Sequence, residues 1–123
     1  MSRKTPPVDE RPARDPPQSS RRTSSRVHVS IPVLCEPAQG ETFGGTMVDV
    51  GFGGACIECA QAPSFGTALS IVVQLPGALG ISRLPAIVRW TTSQSFGTQF
   101  GLLGARDTKL IADLIAETKH RPE

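Results

Sequence analysis

The chain has no tyrosine, a single tryptophan, only two histidines (His28 and His120) and three cysteines in its 123 residues. Each shortage removes a class of function. With the histidines far apart and no Ser-His-Asp, paired-carboxylate or phosphate-loop spacing, nothing in the pattern supplies an acid-base pair or an activated nucleophile, so the chain reads as a non-enzyme. Cys35, Cys56 and Cys59 are an odd set without a secretory leader before them, which argues against a disulfide framework and for reduced thiols in a cytoplasmic protein. Cys56 and Cys59 have C-x-x-C spacing, but residues three apart on a strand face opposite ways and no second pair exists, so no metal site is expected. No apolar run approaches the roughly 18 residues of a membrane span, and no membrane insertion is expected.

What is present is unevenly distributed. Residues 1–26 hold seven basic groups against three acids, net +4, whereas the remainder holds six against eight, net −2. Residues 1–20 are rich in Pro, Arg and Ser, with Met1, Val8 and Ala13 as their only apolar side chains. Such a segment cannot offset its ordering entropy and is expected to form a disordered basic arm ahead of one domain over 21–123. A basic arm suits any polyanion, but it carries no aromatic stacking platform, and nucleic acid is not expected as a partner.

From Val27 the chain alternates strictly, with Val27, Val29, Ile31, Val33 and Cys35 on one face, the mark of a half-buried strand. Pro32 lacks a ladder donor and must sit at an edge or bulge. Further strands are expected over 42–50, 55–60, 67–75, 81–92 and 96–103, the last two forming a hairpin around 92–95. In the third of these, Leu69, Ile71, Val73 and Leu75 share a face. The final segment changes period: Leu110, Ile111, Leu114 and Ile115 fall on one helical stripe, with Asp107 as the N-cap and Lys119 and His120 at the negative end of the dipole. Six short antiparallel strands with frequent Gly and Pro turns suggest a small β-barrel, because closure protects edges that an open sheet exposes.

Two clusters carry the chemistry. Arg21, Arg22 and Arg26 place fixed, planar, fork-shaped cations where the arm meets the first strand. Asp49-Val50-Gly51-Phe52-Gly53-Gly54 supplies a carboxylate and bare backbone, its glycines free to take positive φ and admit a ligand closely. Arginine can fork onto phosphate oxygens or guanine O6 and N7 and stack on a purine, and a carboxylate can accept from guanine nitrogens. Asp49 is equally suited to capping a turn, the glycines to a tight hairpin or bulge, and Trp90 to the core or the barrel rim.

Arg22-x-x-x-Arg26 followed by Asp49-x-Gly51-x-x-Gly54 resembles the R-x-x-x-R and [D/N]-x-S-x-x-G signature of the PilZ domain, the bacterial receptor module for cyclic di-GMP. Ala86-Ile87-Val88-Arg89-Trp90 is similar to the family strand ending V-x-W, and Gly97-Thr98-Gln99-Phe100 to its G-x-x-F strand, so the likeness covers about residues 21–119. The resemblance implies a six-stranded antiparallel barrel of the split-barrel type with a C-terminal helix. It implies cyclic di-GMP as ligand, no cofactor, an unidentified protein effector, and Arg21, Arg22, Arg26, Asp49, Gly51, Gly54 and Trp90 as candidate ligand residues. Arg21, directly before the motif, implies a ligand taken up as a stacked pair. Gly51 departs from the family serine. One neutral hydrogen bond lost is about 1 kcal/mol, and the flexibility of the glycine run adds about 0.5–1 kcal/mol. The alternative is a degenerate member that no longer binds cyclic di-GMP and works as a protein-protein adaptor in motility or polarity. The sequence leaves monomer and homodimer equally open.

Overall fold

The computed structural model describes residues 26–120 and the backbone alone at His120. The expectations for the basic arm, Arg21 and Arg22 lie outside the described residues, as does that for the His120 side chain. Six strands are followed by one helix: β1 (Arg26–Pro37), β2 (Phe43–Gly51), β3 (Ala55–Glu58), β4 (Ala68–Val73), β5 (Ser82–Thr91), β6 (Ser95–Phe100) and α1 (Ala105–His120). All pairings are antiparallel and the sheet closes as β1-β2-β3-β6-β5-β4. The barrel and its helix therefore follow the sequence pattern, with strand ends shifted by up to three residues. The largest shift is at the sixth strand, which stops at Phe100 where Gly101 donates back to the Pro85 carbonyl.

Alternation fills the interior. Leu69, Ile71, Val73 and Leu75 are buried from one side, Leu84, Ala86 and Val88 from the next, and Phe96 and Phe100 complete the layer. The stripe of α1 packs on β1 and β2, burying Ile111, Leu114 and Ile115 and leaving Lys109, Asp113 and Glu117 exposed. Pro32 sits where the expectation put it: the β1–β4 ladder begins only at Leu34, so Pro32 pairs with Thr46 of β2 and has no β4 partner to donate to.

The helix starts earlier than its sequence suggested. Thr108 N–H already donates to the Gly104 carbonyl at 3.0 Å, so Asp107 is inside the first turn and is not the N-cap. Its carboxylate instead accepts from the buried Ser82 hydroxyl at 2.7 Å, and Arg106 donates to both Ser82 and Asp107 at 3.1 and 3.2 Å. This ties the positive end of the helix to the start of β5.

Two stability tests follow from these contacts. Asp107→Ala removes a charged acceptor from a buried hydroxyl and should cost about 1–2 kcal/mol in urea unfolding, whereas Asp113→Ala, losing only the exposed pair with Lys109, should stay within about 0.5 kcal/mol. Burial, with Cys59 adding to it, pushes the Cys35 thiol from 9.0 up to about 12. The unfolded chain thus ionises first, so the stabilisation is complete below about pH 9 and is lost as pH rises toward 12. Denaturation across the alkaline range should show this decline, and Cys35→Ala should flatten it.

A candidate ligand face on the outer barrel wall

Three bulges set the geometry of one wall. Val29 and Ser30 of β1 together oppose Val48, Val48 is itself the extra residue of β2 against β3, and Arg89 is the extra residue of β5 against β6. A bulge bends its strand and re-aims the next side chain. In β2 this allows Met47 and Val50, three apart, both to be buried while Asp49 between them turns outward.

The resulting register lines up one residue from each of five strands. His28 pairs with Asp49, Asp49 with Cys56, Cys56 with Gly97, and Gly97 with Trp90. Cys56 lies between buried Ala55 and Ile57, and Gly97 between Phe96 and Thr98, so the row runs along the outside of the barrel. Each bulge adjoins a member of it. At about 4.8 Å per strand, Asp49 and Trp90 are about 14 Å apart along the wall, a span that a ligand with two bases can bridge and a lone anion cannot.

Arg26 opens β1 two residues before His28 and reaches diagonally across the ladder to Asp49, Nη2 to Oδ1, at 2.5 Å. Both side chains keep contact with solvent. The structure thus brings together three of the candidate residues, Arg26, Asp49 and, as the ladder partner of Arg26, Gly51. Trp90 is 47% exposed, so it is not core: one residue from the end of β5, its indole lies over Gly97 on the same wall. Beside it Arg89 Nε donates to Gln99 at 2.8 Å.

The glycines make the tight hairpin turn expected of them, but not through positive φ. Among the described residues the positive-φ glycines are Gly40, Gly66, Gly77 and Gly80, so Gly51, Gly53 and Gly54 are not held by left-handed backbone. Gly51 ends β2 opposite Arg26 and closes the turn by donating to the Gly54 carbonyl at 2.9 Å. Gly54 is needed for close packing inside the protein: a β-carbon there would stand 1.9 Å from the Thr98 carbonyl oxygen. The Thr98 hydroxyl then bridges both backbone groups of Ala55, accepting at 3.2 Å and donating at 3.0 Å. Gly53 has nothing within 4 Å of where its β-carbon would be.

Cys56 is a site position that the sequence disguised as half of a C-x-x-C pair. Its thiol is free and is raised by burial, then by Asp49, with Arg26 pulling the other way and Glu58 adding a little. A protonated thiol at neutral pH makes it a neutral contact on this wall and a poor nucleophile. Farther along, a depression of about 620 Å³ is lined, among the described residues, by Glu58, Cys59 and the polar 92–95 turn, an acid and no cation, which does not suit phosphate.

The two turn glycines should separate in a mutational test. Gly54→Ala should cost more than about 2 kcal/mol, because only backbone can move to relieve the clash. Gly53→Ala should be neutral or stabilise by about 0.4–1 kcal/mol through the unfolded chain. Parallel thermal or urea melts check both.

The profile of the PilZ domain matches residues 20–117. Solved structures of similar fold include the PilZ domain of YcgR from Escherichia coli with c-di-GMP, at TM-score 0.66 and 15% identity over 81% of this chain and 92% of that one. The Bacillus subtilis inhibitor of motility MotI/DgrA gives TM-score 0.66 and 18% identity over 82% of this chain, which spans 52% of that protein. The PilZ domain of CeSA from a cellulose-synthesizing bacterium gives 0.61 and 21% over 77% of this chain and 98% of that domain. No curated protein sequence matches. No helix among the described residues is long and apolar enough to cross a membrane. A family profile that runs from the arginine cluster through every strand and nearly all of the helix, on a barrel closed in this order, leaves one assignment: the chain belongs to the PilZ domain family.

Proposed function

We propose that this protein is a receptor for cyclic di-GMP that passes the signal to a protein partner by binding, without catalysis. The observation that carries the reading is the outer wall, on which a cation, a carboxylate and an exposed indole from different strands share one surface. The E. coli YcgR PilZ domain has been solved with c-di-GMP, which supports the ligand class.

Residue roles follow from donor and acceptor chemistry. Asp49 accepts from the nitrogens of one guanine edge. Arg26 has five N–H donors and can keep one on Asp49 while turning others to a phosphate or to guanine O6 and N7. An exposed ion pair contributes only about 0–1 kcal/mol, less than the about 1.5–3 kcal/mol of a charge-assisted hydrogen bond, so sharing Arg26 with the ligand is favourable. Trp90 offers a face for stacking. Arg22 is four residues from Arg26, hence within about 14 Å along the chain, and Arg21 is one residue farther, so both can close over a ligand on this wall. Closure of the segment preceding β1 would present a changed surface to the partner, driven by the ligand's preference for that state.

Gly51 favours a second reading, an adaptor that has dropped the ligand and binds its partner without it. Isothermal titration separates the two. Cyclic di-GMP should bind in the low-micromolar range or better, with affinity falling at least tenfold in Arg22→Ala, Arg26→Ala and Asp49→Ala. Gly51→Ser should tighten binding about fivefold by restoring one hydrogen bond. Heats equal to buffer dilution in both the native protein and Gly51→Ser would establish the adaptor instead.

A further inference from the structure

Gly97 faces Trp90 across the β5–β6 ladder, and the indole occupies the space a side chain at that position would need. A β-carbon built on Gly97 would stand 2.0 Å from Nε1, 2.3 Å from Cε2 and 2.8 Å from Cδ1 of Trp90. Three neighbouring atoms of one ring crowd a single point, so the ring covers the glycine and does not merely graze it with an edge. Trp90 is nonetheless about half exposed, with one side against the barrel and the other toward solvent. The Arg89 bulge immediately precedes it, and the Arg89 guanidinium is drawn to Gln99, the next outward residue on β6.

We propose that Gly97 is a positioning residue for the ligand: by carrying no side chain it lets Trp90 lie flat on the barrel wall, presenting the indole face as a platform on which a base of the ligand stacks. The functional half rests on the cyclic di-GMP reading; the positional half rests on the Gly97–Trp90 geometry alone. A methyl group at 97 cannot share this space, and the flexible partner in the contact is the indole. The ring must therefore tilt outward about its side-chain torsions, turning an edge where it had shown a face. Stacking needs parallel planes, so the tilt removes the ligand contact while leaving the barrel backbone in place.

Trp90 is the only tryptophan in the chain, so its fluorescence reports on this position without interference. The test compares the full-length native protein with Gly97→Ala, Trp90→Ala and the double variant. It measures acrylamide quenching and emission maximum wherever Trp90 remains, and cyclic di-GMP affinity and thermal melts for all four. Gly97→Ala should melt cooperatively, show a more accessible, red-shifted indole, and bind cyclic di-GMP about tenfold more weakly. In the Trp90→Ala background the same substitution should change affinity no further. Unchanged quenching in Gly97→Ala overturns the proposal, and so does an equal affinity loss with and without the indole. If Gly97→Ala fails to fold but the double variant folds, the indole is the clashing group and the assignment stands. If neither folds, the glycine serves the backbone and the assignment falls. If the native protein shows no cyclic di-GMP binding, the ligand reading fails on its own, and the quenching comparison still decides whether Gly97 sets the indole.

Discussion

Closure of the ladder is the constraint on which everything else in this protein depends. A small barrel has only two directions for a side chain, and its interior is already filled by apolar groups from every strand and by α1 across β1 and β2. Any polar recognition chemistry must then be on the outside, where neighbouring strands set its lateral spacing at about 4.8 Å. The bulges in β1, β2 and β5 are the means of adjustment: each inserts one residue without opening the ladder, and each falls beside a member of the outer row.

The wall so formed is prepared unevenly. Asp49, Cys56, Gly97 and Trp90 sit on paired strands and are held in register by the ladder, which on the proposed reading would keep the ordering cost of binding low. Arg26 is at the first position of β1, its guanidinium committed to Asp49 but solvent-facing, so the cationic half is the adaptable half. On the proposed reading, the rigid acceptor and platform would select ligand shape and the long cationic side chains would adjust to its charge.

The barrel, its six strands and the helical stripe were legible because period-two and helical patterns survive errors of two or three residues in where an element ends. Arg26 and Asp49 stood out as charges near strand ends, and the structure joins them in an ion pair. The row itself was not legible. Its alignment depends on three single-residue register shifts, and a bulge at Val48 or Arg89 leaves no mark in hydrophobic alternation beyond an ambiguity of one. Cys56 was therefore read with Cys59 and not with Asp49, and Gly97 as part of a strand and not as the surface beneath Trp90. Gly54 was read as ligand-directed freedom because sequence cannot show the Thr98 carbonyl standing where a β-carbon would be. Asp107 was taken for a cap because its true partner, Ser82, is a strand away.

The outer row has no two members from the same strand, and His28, Asp49, Cys56, Gly97 and Trp90 meet only through ladder pairings between distinct strands. No fragment of the chain carries even half of it as a local motif. Asp49–Cys56 and Gly97–Trp90 are hairpin pairings, but His28–Asp49 and Cys56–Gly97 join distant parts of the chain, so the surface is complete only when the long-range ladders close, and it vanishes with the first register slip or partial opening of the barrel. A ligand that grips this wall therefore grips the integrity of the whole sheet, and its binding free energy adds directly to the cost of unfolding any strand that contributes to it.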